Sequence, residues 1–126
     1  MFDENKEYSR KKIQELIGGE IQTYLPQKNK RILAGCFNLE INPDCPAQIQ
    51  AGKPPKVSSK AELLISQPDN VFPVFVKPSS ASKLYKYIGQ FRCVSGTNEP
   101  KILADAESKS GREGQLSYVF NLEKVT

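Results

Sequence analysis

The chain has 126 residues, 38% of them hydrophobic and 25% charged, with a net charge of +4. That length supports one hydrophobic core and excludes a core plus a second independent domain, and the composition excludes a disordered chain. The charge excess is mild: it permits contact with nucleic acid without dictating it.

Residues 1–8 are polar and predict a flexible N-terminus, followed by a single domain over 9–126. Ser9 is suited to cap a helix that Gly18-Gly19 ends, with Ile13, Leu16 and Ile17 as its buried stripe and Tyr8 stapled against Ile13. Glu20 to Leu25 reads as extended up to Pro26, and 27–30 as a polar turn. Arg31 to Phe37 predicts a buried strand. Four prolines within 42–55 predict a long ordered loop. Ser58 to Gln67 reads as a second helix capped by Ser58 or Ser59. Val71 to Lys77 predicts a strand, with Pro73 marking an edge or a bulge. Tyr85 to Val94 carries the longest strand signal, broken at Gly89 by a bulge or sharp bend. After a polar stretch with a weak helical piece at Lys101 to Ala106, Leu116 to Leu122 alternates as the last strand. Five or six short strands with helices set apart give an α+β class: a small curved sheet or partly closed β-barrel flanked by two or three helices.

The chain contains no histidine, the usual general base near neutral pH and the commonest metal ligand. Ser-His-Asp and Cys-His hydrolysis, HNH nuclease chemistry and the His-containing zinc deaminase site are excluded in their usual forms. Cys36, Cys45 and Cys93 include no C-x-x-C pair for a four-thiolate zinc site. Their odd number, with no secretory leader at the N-terminus, predicts free thiols in a reducing compartment, the cytoplasm. No apolar run approaches the roughly 20 residues of a membrane span. Glycine-rich phosphate loops are absent. Glu4-Asn5-Lys6 and Glu107-Ser108-Lys109 supply the E-x-K half of a metal-dependent nuclease motif, but neither has an Asp at a suitable distance upstream. No catalytic set and no cofactor is expected.

Five segments in order are Tyr24-Leu25-Pro26, Gly35-Cys36-Phe37, Asn42-Pro43-Asp44-Cys45-Pro46, Pro73-Val74-Phe75-Val76-Lys77 and Tyr87-Ile88-Gly89-Gln90-Phe91. Together they resemble the SRA-like module found beside HNH nuclease domains in bacterial McrA-type, modification-dependent restriction enzymes. That module belongs to the PUA-like superfamily of SRA, EVE and YTH readers. The resemblance spans about residues 8–122 and implies a curved β-barrel with helices outside. It also implies that a modified DNA base is flipped into a pocket on the barrel, stacked on aromatics and read at its edge. It places the N-P-D-x-P signature at Asn42 to Pro46. With no nuclease domain in the chain, cleavage in such a restriction or defence system falls to a partner or fused domain.

Each candidate residue has a plain structural role beside its functional one. Tyr24 is either a core aromatic or a stacking wall. Asn42 and Asp44 either start turns or read a base, Asp44 accepting from a base amine and Asn42 both donating and accepting. Lys77 either ends a strand in solvent or contacts a phosphate. Tyr85 and Tyr87, two apart on one strand face with Lys83 and Lys86 interleaved, either pack under a helix or present a nucleic-acid surface. Lys28, Lys30 and Arg31, with Lys86, are candidates to track phosphates. Alternative functions are an RNA reader of the same fold, a protein-interaction domain of a defence complex, or a metal-dependent nuclease using Glu40 and Asp44.

Overall fold

The computed structural model describes residues 2–125. In chain order the elements are β1 (Glu7–Ser9), α1 (Arg10–Ile17), β2 (Gln27–Lys28), β3 (Arg31–Ile32), β4 (Gly35–Asn38), β5 (Gln48–Gly52), α2 (Pro55–Ile65), β6 (Phe72–Lys77), β7 (Leu84–Thr97), α3 (Pro100–Ser110) and β8 (Leu116–Val125). The class is α+β, with three helices around a mixed sheet that is not closed.

The long strand β7 organises that sheet. Its order is β4-β6-β7-β8-β5, and β1 pairs with the first residues of β7 beyond the end of β8. Every pairing is antiparallel except β4 with β6. β2 and β3 form a separate small hairpin.

Irregular pairing bends the sheet. The register shifts at Ala51/Gly52, at Val74/Phe75 and at Cys93/Ser95, and bulges increase local twist and curvature. Opposite Val74/Phe75 the extra residue is Ile88, followed by Gly89 at φ 122°. That φ favours glycine, so the bulge expected at Gly89 is present and the glycine is required there. The extra residue also reverses the strand's inside and outside. Tyr87 packs with Tyr8, Ile13, Ala34, Cys36 and Phe75 beneath α1. Phe91 and Cys93 join the main core of Phe37, Ile49, Phe72, Val74 and Phe120, covered by Ala61 and Leu64 of α2. A third cluster, Ala106, Leu116 and Val119, seats α3. Each fully buried large apolar side chain contributes about 1.5–3 kcal/mol by its removal from water.

Curvature brings the sheet's two edges, β4 and β5, to a single side chain. Asn42 donates from Nδ2 to the Asn38 carbonyl at 3.0 Å and accepts at Oδ1 from the Gln50 N–H at 2.8 Å. The edges are therefore joined through one amide rather than by a continuous ladder.

Several expectations are corrected. Residues 2–8 are part of the fold: Phe2 lies 4.8 Å from Phe75 and 5.4 Å from Tyr87 between ring centroids, and the Asn5 N–H donates to the Tyr87 carbonyl at 2.9 Å. Their partner lies about eighty residues downstream, so local polarity concealed the strand. The loop expected over 42–55 contains β5, which has few large apolar side chains and owes its conformation to pairing with β8. Arg31 to Phe37 is two strands, split at Leu33-Ala34. The 20–25 segment forms no strand.

α2 starts at Pro55 with Pro54 at the N-cap and no side-chain cap, so neither Ser58 nor Ser59 caps it; proline at the first position forfeits only an N–H that would lack a helical partner anyway. Ser9 does cap α1, accepting from the Lys12 N–H at 3.1 Å, but of its expected stripe only Ile13 is fully buried and Leu16 is exposed. β6 is an interior strand. Pro73 is tolerated because the β4 ladder begins at Val74, leaving only β7 beside it. The three cysteines are free. No helix among the described residues is long and apolar enough to cross a membrane.

Candidate functional site

A cleft of about 720 Å³ opens beside the joined sheet edges. Its wall comes from the 21–24 segment, β4, the loop after β4, β5, the ends of β6 and β7, and Arg112 beyond α3. The charged lining residues are Arg10, Lys77, Lys83 and Arg112; among the described residues lining it, none is Asp or Glu.

The 21–24 wall has no regular structure and is held by side-chain contacts from α1 and α2. Arg10, the first residue of α1, donates from Nη2 to the Glu20 carbonyl at 2.6 Å and to the Thr23 carbonyl at 3.3 Å. The Tyr24 hydroxyl donates to the Val57 carbonyl on α2 at 2.7 Å, and its ring stands 6.4 Å from Phe37. Burial raises the phenol's pKa, so it stays a donor. Glu20 anchors the segment's start by accepting from the Gln27 N–H at 2.7 Å and from the Lys60 ammonium, which also donates to the Leu25 carbonyl at 2.9 Å.

On the opposite side Lys77 ends β6 with its Nζ 5.2 Å from the centroid of the Tyr85 ring, a cation–π contact. Burial raises the Tyr85 phenol's pKa, with Cys36 adding to the effect and Arg10 opposing it. The Cys36 thiol, in the cleft wall, is pushed up to about 11 by burial despite Arg10 nearby. It is not a thiolate nucleophile near neutral pH. Cys45 is similarly raised by burial to about 12. Arg112 donates from Nη1 to the Ile41 carbonyl at 3.4 Å, and burial lowers its pKa from the ordinary value.

Two buried polar atoms of cleft residues have no partner among the described residues, Arg10 Nη1 and Gln50 Oε1. Buried polar groups are hydrogen-bonded in the great majority of cases, so both are notable.

Of the residues expected to bind a base, Tyr24, Asn42, Lys77 and Tyr85 line this one cleft. Asn42 does so with both ends of its amide committed to Asn38 and Gln50. Asp44, on the outer side of the same loop, pairs with Lys109 of α3 at 3.2 Å and is not part of the lining. Tyr87 is buried under α1, its hydroxyl accepting from Gln90 Nε2 at 2.9 Å. Lys28, Lys30 and Arg31 sit on the β2–β3 hairpin, and Lys86 is exposed on β7; none lines the cleft. Sequence reasoning missed Arg10, Gln50 and Arg112. Arg10 could have been suspected from the basic run at the start of α1, whereas nothing near Gln50 in sequence marks it.

Among the described residues no three His, Cys, Asp or Glu side chains gather as a metal site. The cleft can hold an anionic ligand carrying a flat group. Its cations attract negative charge and its tyrosines offer π-faces. Comparison of the chain with family models, with curated proteins and with solved structures yields no match.

Proposed function

We propose that the chain is a non-catalytic nucleic-acid-binding module that takes one DNA base, in modified form, into this cleft. The observation that carries the reading is the charge of the lining: four cations and no carboxylate around an aromatic wall. Phosphates would lie against Lys77, Lys83 and Arg112 at the cleft, and the base against Tyr24 or Tyr85. Extruding a base costs a few kcal/mol, and stacking on an aromatic returns about 1–3 kcal/mol.

The companion readings are an SRA-like, PUA-like fold and a role in a cytoplasmic bacterial restriction or defence system, with cleavage supplied by a nuclease partner or fused domain. What supports the fold reading is the strongly curved sheet, its edges bridged by Asn42, with helices outside it.

The test is a binding panel at two salt concentrations. It compares duplexes bearing unmodified, 5-methyl-, 5-hydroxymethyl- and glucosylated cytosine, methyladenine duplexes, and RNA. The expected result is salt-sensitive binding with one modified duplex preferred by at least about tenfold. Equal affinity for modified and unmodified duplexes would sink the modified-base reading, and tighter binding to RNA would transfer the cleft to an RNA reader.

A further inference from the structure

We propose that Arg10 is a positioning residue of the cleft, clasping the 21–24 wall against the bound base instead of meeting a phosphate itself; this rests on the nucleic-acid reading above. Arg10 is the first residue of α1, followed by Lys11 and Lys12, with no acidic residue in that first turn. Positive charge at a helix N-terminus opposes the helix dipole, so α1 itself does not account for an arginine there. Its contacts lie with the chain beyond the helix. One nitrogen, Nη2, donates to the Glu20 carbonyl at 2.6 Å and to the Thr23 carbonyl at 3.3 Å, so the backbone between them curls around a single point. Both N–H groups of Nη2 are thereby used, and Nη1 is buried. Neither terminal nitrogen is open to a phosphate.

Little else fixes the wall. The Glu20 carboxylate anchors its start on the Gln27 N–H and Lys60, and Tyr24 anchors its end through the Val57 carbonyl and the Cys36 N–H. Between these ends, no residue other than Arg10 hydrogen-bonds the backbone of 20–23 among the described residues. Ile21 and Gln22 are exposed. Gly18 and Gly19, at φ 84° and 74°, lead into the segment and give it a flexible entry. The four residues Ile21 to Tyr24 also line a second cleft of about 710 Å³ against Lys56, Val57, Ser59 and Lys60 of α2. A segment bordered by open space in two directions has few buried contacts, so its position rests on the hydrogen bonds made to it. Without the clasp, Ile21 to Thr23 can swing toward the second cleft and widen the first, while Lys77, Lys83 and Arg112 stay in place.

Arg10→Met tests this on the same panel of 5-methyl-, 5-hydroxymethyl- and glucosylated cytosine, methyladenine and unmodified duplexes at two salt concentrations. Affinity for the duplex that the wild type prefers is expected to fall about tenfold at both concentrations, erasing the preference. The salt slope is expected to stay within about half a unit of the wild-type value. Amide hydrogen exchange of 21–23 is expected to quicken. The unfolding midpoint is expected to hold, because methionine also removes a buried unpartnered nitrogen and a charge from the α1 N-terminus. A preference that survives in the variant overturns the proposal, as does unchanged exchange at 21–23. Equal weakening of modified and unmodified duplexes with a slope lower by about one unit overturns it too, since that is the mark of a phosphate contact. In each of these cases the nucleic-acid reading stands. Should Arg10→Met fail to fold, Arg10→Gln takes its place under the same criteria. A wild-type chain with no preference among the duplexes overturns both the modified-base reading and this one.

Discussion

Asn42 and Gln50 lie eight residues apart in sequence and on opposite sides of the gap in the sheet: the Asn42 amide oxygen accepts the Gln50 N–H at 2.8 Å while its nitrogen reaches back to Asn38 in β4. One buried side chain thereby replaces the ladder that the two edge strands lack, and it sets the backbone of the residue that lines the cleft.

Asn42→Ala is therefore expected to destabilise the fold by about 1–3 kcal/mol, because a buried N–H and a carbonyl lose their partners together. Denaturant melts of the two proteins measure this. A change below about 0.5 kcal/mol, the size of an ordinary surface substitution, would show that the bridge is dispensable.

Asp44 is expected to behave oppositely. It is paired with Lys109 at 3.2 Å on a solvated surface, with 42% of its side chain exposed, and exposed pairs contribute about 0–1 kcal/mol. Asp44→Ala should leave stability nearly unchanged and leave discrimination among bases intact. Loss of discrimination with an intact fold would return Asp44 to the role that the N-P-D-x-P resemblance implies.

Glu20 sets a pH dependence. Burial raises its pKa, but the Gln27 N–H, the Lys60 ammonium and its own N–H outweigh that and hold it near 2, below its ordinary 4.5. A depressed carboxylate pKa stabilises the fold above the unfolded value, and that contribution fades as pH falls through the folded one. Stability is expected to drop between about pH 4.5 and 2, and Glu20→Gln to lower stability at neutral pH while flattening this part of the curve. Identical acid profiles for the two proteins would remove Glu20 as the anchor of the cleft wall.

The cations of the cleft should differ from those of the hairpin. Lys83→Ala is expected to reduce the steepness of the salt dependence of DNA binding by about one unit in the log–log slope. Lys28→Ala and Lys30→Ala, on the hairpin outside the cleft, are expected to leave the slope unchanged. If the hairpin substitutions had the larger effect, the phosphate path would run over β2 and β3 instead.

Local sequence determined the α+β class, the Ser9 cap of α1, the bulge at Gly89 and the strands β6, β7 and β8, because capping, glycine at positive φ and apolar alternation act within a few residues. It also singled out six candidate base-binding residues, of which Tyr24, Asn42, Lys77 and Tyr85 line one cleft while Asp44 and Tyr87 do not. Tertiary structure alone decided the rest. β1 and β5 exist because β7 and β8 offer them distant partners, and neither carries a strong strand pattern of its own. Tyr87 and Tyr85 share a strand face, yet Tyr87 is enclosed by Phe2, Phe75 and α1 while Tyr85 reaches the cleft. Asn42 faces inward and Asp44 outward because curvature draws the sheet edges to one side of their loop. Gln50 acquires its unpartnered oxygen from a carbonyl 56 residues away. A residue's hydrogen-bonding partners are set by where the chain returns, and no local pattern encodes that return.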